Sequence, residues 1–299
     1  MSSENKEQKY STGIHEVYEE HNENEEINLQ NDQKNCAKNP GHTSLVPINE
    51  LTAEHFPVGY QDEDLLVLTK GIADLTVRIH VGSTKTTGTG IVGQIKKFDE
   101  GDKCRNTCPC PACVTSATPN KVWWRVHVLT ATHLVFDTKT ASSSSCRLWF
   151  DEEGSKLFII LGWKLGGSHT KGDVSELYCA THDSEIGDKL EEMLRQVKIL
   201  YQTVTDKYKS VRDKDKLTII VSHPHGCSKQ VSVGSWVHRD VFNHEMGTQT
   251  RYFYDTCTCQ GSSGASVYRL GYDWPAHPHS GVNNSGLNYS ASGVWDLHM

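Results

Sequence analysis

The sequence predicts a mostly β protein in which two β-rich regions are joined by one long helix. Short runs of β-branched and aromatic residues, separated by glycine-containing turns, indicate strands of a barrel or a sandwich. These runs lie at residues 65–68, 75–81, 88–95, 122–129, 147–150, 156–163, 217–221, 231–234, 251–254 and 265–268. Between residues 183 and 213 apolar positions instead recur every three or four residues, which predicts an amphipathic helix of roughly seven turns.

These patterns divide the 299-residue chain into four parts. Residues 1–50 are expected to be a disordered acidic tail, because residues 1–35 hold nine acidic residues against three lysines and almost no aliphatic clusters. The other parts are a first β-region at 51–182 with a cysteine-rich loop at 103–113, a linker helix at 183–215 and a second β-region at 216–299. His15, inside the tail, carries no evident role.

Charge and hydropathy exclude two classes of partner. The net charge is −7 and the basic residues are scattered among acidic ones, so a nucleic-acid surface is not expected. The longest apolar run, residues 157–163, is too short to cross a bilayer, so no membrane association is expected. The first residues show no apolar leader, which favours a cytoplasmic protein whose ten cysteines are thiols or metal ligands rather than disulfides.

Three separated motifs suggest nucleophilic catalysis. They are Ala131-Thr132-His133, Gly172-Asp173 and Gly261-Ser262-Ser263-Gly264, with His133, Asp173 and Ser263 spaced 40 and then 90 residues apart. Serine is a poor nucleophile unless a base takes its proton and a third group orients that base. His133 would be the base, Asp173 the orienting group and Ser263 the nucleophile, with the backbone N–H groups of Gly261 and Ser263 as the oxyanion hole.

With this order and spacing, residues 75–290 resemble the trypsin-like, chymotrypsin-fold serine peptidases. The resemblance is nearest to the glutamyl-endopeptidase, HtrA and viral 3C branches, because residues 222–226 and 231–234 resemble the loop and strand that precede the nucleophile there. The resemblance implies two antiparallel β-barrels of the chymotrypsin type with an active site between them. It also implies a serine endopeptidase that acts on polypeptides without a cofactor for catalysis.

Three departures from the digestive members of this family point to an intracellular, non-zymogen type. Secreted relatives usually carry a cysteine after the catalytic histidine, where this chain has Leu134. Ser262 stands where digestive relatives have the aspartate that pairs with a new N-terminus, and an Ile-Val-Gly-Gly start is not recognisable. The enzyme is therefore expected to be competent without N-terminal processing.

The resemblance also implies a specificity pocket. In the glutamate- and glutamine-cleaving branches, a threonine five residues before the nucleophile and a histidine in an H-x-G-type strand line the S1 pocket. Thr258 matches the first position, and His279, Ser280 and Gly281 match the second, which predicts Glu or Gln at P1. His277 competes with His279 for this role.

A second cluster suggests a structural metal. Cys104, Cys108, Cys110 and Cys113 lie within ten residues of one loop, which suits a tetrahedral Zn²⁺ site. A redox-labile thiol cluster, or thiols without a role, are the alternatives. Cys257 and Cys259 beside the nucleophile offer a shared or alternative site.

Two rival functions remain open at this stage. The first is a catalytically inactive trypsin-like module that serves as a zinc-stabilised binding or scaffold domain. The second is a purely structural zinc protein. The intact His133, Asp173 and Ser263 set favours the peptidase.

Overall fold

The computed structural model describes residues 13–20, 25–100, 107–244, 247–273 and 277–292. The strands are β1 (Ile14–His15), β2 (Tyr18–Glu19), β3 (Val46–Pro47), β4 (Thr76–Val81), β5 (Thr86–Phe98), β6 (Trp123–Thr130), β7 (Ser144–Leu148), β8 (Phe158–His169), β9 (Val174–Thr181), β10 (Leu217–Ser222), β11 (Gln230–His244), β12 (Gly247–Tyr254), β13 (Val267–Arg269), β14 (His279–Val282) and β15 (Asn288–Ser290). The α-helices are α1 (Glu25–Lys34), α2 (Glu63–Leu75), α3 (Pro111–Val114), α4 (Thr138–Ser142), α5 (Ser184–Tyr208) and α6 (Arg212–Asp215). Short 3₁₀ helices cover Pro40–His42, Ile48–Glu50, Ala53–His55 and Pro224–Gly226.

The first β-region is a closed antiparallel barrel of six strands. They follow the order β5-β4-β7-β8-β9-β6, and β6 pairs back onto β5 to complete the ring. Side chains alternate along β4, where Val77, Ile79 and Val81 are fully buried and the intervening Arg78 and His80 are half-buried. Closure is favourable because it removes the unpaired strand edges that an open sheet exposes.

The second β-region is an antiparallel sheet that curls until its two ends meet. Its strands follow the order β14-β15-β12-β11-β10-β13, with β1 added beside β14 and β3 paired to β11. An isolated bridge between Ser266 and Pro278 connects the β13 end to the β14 end. The backbone N–H of Val267 also donates to the carbonyl of His277 at 3.1 Å. The predicted mostly β fold is confirmed. Of the two barrels that the resemblance implied, the first is a closed barrel and the second is a curled sheet.

Helix α5 runs between the two β-regions and matches the helix predicted from periodicity. Asp183 caps it, because its carboxylate accepts hydrogen bonds from the first free backbone N–H groups. Its apolar face packs against α2, where a Cβ on Gly71 would come within 2.7 Å of Val197. The strand predicted at residues 65–68 is wrong, because these residues lie in α2, which Asp62 caps and whose buried face repeats at the helical spacing of Leu65, Leu68 and Ile72. Among the described residues, no helix is both long and apolar enough to cross a membrane.

The N-terminal region differs from the predicted disorder. In residues 25–50 the side chains of Leu29, Cys36, Leu45 and Ile48 are buried, and α1 lies beside the turn that precedes β11. Residues 13–20 are extended and contact both β-regions, whereas 1–12 and 21–24 lie outside the described residues. Composition predicted disorder because apolar residues are few, but the finished barrels supply pockets and cationic partners that the local sequence cannot reveal.

Candidate active site

Strand pairing in the first barrel brings His133 and Asp173 together. Strands β6 and β9 are antiparallel, with Thr130 opposite Ser175, so the turn after β6 lies beside the turn before β9. The His133 Nδ1 atom lies 2.8 Å from Asp173 Oδ2, and the His133 backbone N–H donates to Oδ1 at 3.0 Å. Asp173 has a left-handed φ of 58°, which an aspartate tolerates better than most residues.

The Asp173 carboxylate also receives a hydrogen bond from the second sheet. The Ser280 hydroxyl donates to its Oδ2 atom. Burial alone would raise the pKa of Asp173, but the hydrogen bonds and charge of His133, together with the bond from Ser280, lower it below its ordinary value. The carboxylate therefore stays ionised and holds the His133 ring with its Nε2 atom facing away.

Ser263 is placed opposite that ring by a tight turn of the second β-region. Its Oγ atom lies 2.8 Å from His133 Nε2. Gly261 and Gly264 flank it with φ values of 91° and 88°, which favour glycine. A Cβ on Gly261 would lie 2.4 Å from the carbonyl oxygen of His223, so the turn is also too tight for a side chain there.

Two backbone N–H groups of this turn converge on one carbonyl oxygen. The N–H groups of Gly261 and Ser263 point to the carbonyl oxygen of Glu16, at 2.7 Å and 3.3 Å. A backbone carbonyl of the N-terminal segment thus lies at the position that the sequence predicted as an oxyanion hole. With the segment in place, Ser263 is 0% exposed.

The side chain of Glu16 fills a polar pocket beside Ser263. Its Oε2 atom accepts from the Thr258 hydroxyl at 2.6 Å and lies 2.6 Å from His279 Nε2. Its Oε1 atom pairs with the Lys38 ammonium at 2.5 Å. The opposite ring nitrogen of His279, Nδ1, lies 2.6 Å from the Tyr254 hydroxyl. The pocket therefore offers three donors to one carboxylate.

The ionisation of this pocket follows from burial and partners. Burial opposes the charge of Glu16, but the hydrogen bond and charge of His279 and the Lys38 ammonium outweigh it and lower its pKa to about 2. Burial lowers the pKa of His279 despite the neighbouring carboxylate. We therefore assign a neutral His279 whose Nε2–H donates to Glu16 and whose Nδ1 accepts from Tyr254, with Lys38 as the balancing cation.

The other residues predicted for the pocket have different positions. Ser280 contacts Asp173 rather than the pocket, and Gly281 contributes backbone by pairing with His15 in the β14–β1 register. A Cβ on Gly281 would lie 2.1 Å from the carbonyl oxygen of Ile14, so glycine permits this close pairing. The competing His277 lies away from the pocket, with its Nε2 atom near the Thr250 hydroxyl and carbonyl.

Sequence reasoning missed three residues of the site. Lys38 and Tyr254 reach the pocket from distant parts of the chain, and nothing in their local sequence marks them. His15, dismissed as incidental, stacks on the ring of His133 with a centroid distance of 3.8 Å and an interplanar angle of 14°. Burial and then the neighbouring His133 lower the pKa of His15.

The cysteine loop brings together three of the four predicted ligands and adds a histidine. Cys108, Cys110, Cys113 and His182 present ligand atoms that all lie within 4.8 Å of one another. The His182 Nδ1 atom is 3.4 Å from Cys110 Sγ and 3.5 Å from Cys113 Sγ. Cys104 lies outside the described residues.

Comparisons with known proteins find similar structures but no sequence family. No protein-family model matches the chain, and no curated protein matches it. The HtrA-type protease AlgW with a tripeptide shares 9% identity at a TM-score of 0.42, over 75% of this chain and 58% of that one. The Rv3671c protease from M. tuberculosis shares 12% at 0.40, over 78% and 82%.

A third similar structure is the thermostable serine protease AL20 from an extremophilic microorganism. It shares 10% identity at a TM-score of 0.39, over 74% of this chain and 92% of that one. The chain thus spans little more than half the length of the AlgW structure but most of the other two. At these identities the similarity assigns no activity, so the activity is argued below from the side chains of this chain.

Proposed function

We propose that this protein is a serine endopeptidase that hydrolyses peptide bonds through an acyl-enzyme. The observation that carries the proposal is the continuous chain of hydrogen bonds from Asp173 through His133 to Ser263, at 2.8 Å for each step. Two oxyanion-hole N–H groups converge on a peptide carbonyl at the same place. A binding module or a structural zinc protein would need neither arrangement.

In the proposed reaction, Ser263 Oγ attacks the substrate carbonyl carbon while His133 Nε2 accepts its proton. Asp173 keeps the other ring nitrogen protonated and stabilises the imidazolium that forms. The N–H groups of Gly261 and Ser263 stabilise the negative charge on the tetrahedral oxygen. His133 then protonates the leaving amine, and water hydrolyses the ester by the same steps in reverse.

We infer a preference for glutamate over glutamine at P1. Glu16 supports this, because its side chain occupies the predicted pocket with Thr258 and His279 as donors. The Lys38 ammonium lies 2.5 Å from Glu16 Oε1, and its positive charge attracts a carboxylate more strongly than an amide oxygen. A pocket built on buried donors rejects a side chain that leaves them unpaired.

We also propose a structural zinc ion bound by Cys108, Cys110, Cys113 and His182. In a tetrahedral zinc site, a sulfur and a nitrogen ligand lie about 3.6 Å apart, given bonds of about 2.3 and 2.05 Å. The two distances from His182 to cysteine sulfurs fit this value. The Asn120 side-chain amide donates to Cys113 Sγ at 3.5 Å and would stabilise the negative charge of that thiolate ligand.

A cytoplasmic location is part of the proposal. The nine cysteines in the described part of the chain are all free thiols. The sulfurs of Cys146 and Cys179 lie 3.6 Å apart, which is a contact between thiols rather than a disulfide. A reducing compartment would keep them so.

Peptide-library cleavage read by mass spectrometry tests the proposal. Two full-length chains are compared, wild type and S263A. We expect wild type to cut after glutamate and S263A to be inactive. Cleavage that persists without Ser263, or no cleavage by folded wild type, would contradict the peptidase. Cleavage after other residues would reject only the pocket assignment.

A further inference from the structure

We propose that the chain cleaves its own backbone between Glu16 and Val17. This inference rests on the proposed peptidase function and adds a specific bond as substrate. The segment 13–20 crosses the active site in an extended conformation and contacts both β-regions. Each contact that a peptidase uses to hold a substrate is made by a different part of this segment.

On the amino-terminal side of Glu16 the segment adds a strand to the second sheet. Strand β1 pairs antiparallel with β14, with Ile14 opposite Val282 and His15 opposite Gly281. Backbone pairing of this kind binds an extended peptide with little dependence on its side chains. The His15 ring lies flat on His133, so the residue before Glu16 packs directly on the proposed general base.

On the carboxyl-terminal side the segment adds a strand to the first barrel. Strand β2 pairs antiparallel with β5, with Tyr18 opposite Thr87 and Glu19 opposite Thr86. Glu20 follows, and its Oε1 atom accepts from the Thr87 hydroxyl at 2.6 Å and lies 2.9 Å from His80 Nδ1. The peptide bond between Glu16 and Val17 therefore lies where the chain passes from one β-region to the other.

Glu16 itself is held as a P1 residue would be. Its carbonyl oxygen lies in the oxyanion hole and its carboxylate in the specificity pocket, both described above. One residue of the chain therefore makes both contacts. The geometry points to Glu16–Val17 as a bond presented for cleavage.

The proposed step balances with water as the second reactant. Ser263 Oγ adds to the carbonyl carbon of Glu16 while His133 takes the hydroxyl proton. The bond to the Val17 nitrogen breaks as His133 returns that proton, which leaves a Glu16 ester on Ser263 and a free Val17 amine. Water then adds to the ester, giving a Glu16 carboxylate and restoring the serine hydroxyl.

Cleavage would open the site. Residues 17–20 remain attached to the rest of the chain and held by Tyr18 and Glu20, because the Tyr18 hydroxyl donates to Asp32 at 2.6 Å. Residues 1–16 become a separate product that can leave the pocket and uncover Ser263. This runs against the expectation from Ser262 and the N-terminal sequence that the enzyme is competent without N-terminal processing.

Intact-mass measurement of the purified full-length chain over time tests the proposal. We expect wild type to lose residues 1–16 and to show a new Val17 N-terminus, with a first-order rate that does not depend on protein concentration. S263A should keep its full mass. E16K and the milder E16A should also stay uncut, whereas the matched control E19K, at an exposed position outside the pocket, should be cut like wild type.

Two results would overturn self-cleavage, and they separate it from the proposed function. The synthetic peptide of residues 13–20 is offered to full-length wild type. If wild type hydrolyses the peptide but keeps residues 1–16, the peptidase stands and self-cleavage is rejected. If folded wild type neither hydrolyses the peptide nor loses residues 1–16, both proposals are rejected. A rate that rises with protein concentration would reject cleavage within one chain.

A different cluster independently carries a second proposal, a zinc site buried beside the nucleophile turn. Cys36, His42, His225 and Cys259 are all buried, and their ligand atoms lie within 4.8 Å of one another. The two sulfurs are 3.6 Å apart, and Cys259 Sγ is 3.5 Å from His42 Nε2. A tetrahedral zinc ion would place two sulfurs about 3.8 Å apart and a sulfur and a nitrogen about 3.6 Å apart.

Hydrogen bonding supports a metal rather than a packed set of neutral groups. His225 is 5% exposed, and within the described residues neither of its ring nitrogens has a hydrogen-bond partner. Such an orphaned buried imidazole is costly unless something binds it. The Asn39 backbone N–H and side-chain amide point at the sulfurs of Cys36 and Cys259, at 3.4 and 2.9 Å, as donors to thiolates do.

We infer that this zinc would fix the segment carrying Lys38 over the specificity pocket. The ligands come from that segment, from the Pro224–Gly226 turn and from the nucleophile turn. Zinc content of the full chain, measured by elemental mass spectrometry after dialysis, tests the site. We expect two zinc ions in wild type, one in C259S and one in H225N, and two in the matched control C257S.

The buried site would be rejected if wild type held one zinc ion and folded C259S and H225N held the same amount, while C113S held none. Cobalt substitution gives a second readout, because tetrahedral thiolate–cobalt absorption should fall by about half in C259S. Unchanged absorption in C259S would likewise reject the proposal.

Discussion

The two β-regions contribute different parts of the candidate site. The first barrel supplies His133 and Asp173 from one pair of strands, whereas the second sheet supplies Ser263 and most of the pocket from several loops. In the first barrel, one antiparallel pairing places His133 and Asp173 beside each other, so the proposed base and its orienting group depend on a single register. In the second sheet, the nucleophile turn and the pocket combine residues from several loops with Lys38 from the N-terminal region. In the proposed mechanism, proton transfer therefore depends on the pairing of two strands. Substrate recognition depends on contacts between residues far apart in the sequence.

The largest expected effect tests the first-barrel pair. D173N should lower kcat/KM about 10⁴-fold, because an asparagine no longer holds the required imidazole tautomer or stabilises its charge. S280A removes only the donor that the second sheet gives to Asp173 and should cost roughly tenfold. Peptide hydrolysis by both variants measures this. An S280A loss as large as that of D173N would show that the base is not organised by the first barrel alone.

The next effect concerns the nucleophile turn. G261A should lower kcat about 10²–10³-fold, because the left-handed φ and the nearby His223 carbonyl force the oxyanion N–H to move. G286A is the matched control, since Gly286 has a φ of 83° but no atom within 4 Å of a built Cβ. G286A should match wild type in activity and lose less thermal stability than G261A, because it adds the strain of a positive φ without a steric clash. Equal activity of the two variants would contradict the oxyanion assignment.

A smaller effect tests the contribution of the N-terminal region to recognition. K38M should lower kcat/KM roughly tenfold for a substrate with P1 glutamate and clearly less for a P1 glutamine substrate, because the ammonium attracts a carboxylate more strongly than an amide oxygen. K34M, at the exposed end of α1, is the control. The paired substrates measure the change in preference. A parallel loss with both substrates would assign Lys38 a structural role.

The smallest effect is a pH dependence at the first-barrel end of segment 13–20. Burial opposes the charge of Glu20, but hydrogen bonds from His80 and Thr87, with the nearby Arg78, lower its pKa from 4.5 to about 2. The contribution of ionised Glu20 to the stability of the folded chain is therefore complete above about pH 4.5, and it is lost as the pH falls towards 2.

Urea unfolding of the uncleavable S263A chain at pH 5.0 and 3.5 measures this dependence. The free energy of unfolding should fall about 1 kcal/mol more in S263A than in S263A combined with E20Q, because the amide does not titrate. Equal pH dependence of the two chains would show that Glu20 has an ordinary pKa in the folded state.

The sequence determined the strand-rich pattern, the long helix and the order and spacing of His133, Asp173 and Ser263. These features could be predicted because strand and helix periodicities are local. The tight glycine turn around Ser263 is likewise encoded by four consecutive residues, 261–264. Thr258 and His279 were predicted from the resemblance to the glutamate- and glutamine-cleaving peptidases.

Only the tertiary structure shows which side chains contact the site residues. Lys38, Tyr254 and the buried Cys36–Cys259 pair come from positions far apart in sequence, and no local pattern marks a contact made across the whole chain. Glu16 lies in a stretch whose composition predicts disorder, because composition records the scarcity of apolar side chains and not the polar pocket that receives one carboxylate. Its placement depends on the finished cleft between the two β-regions.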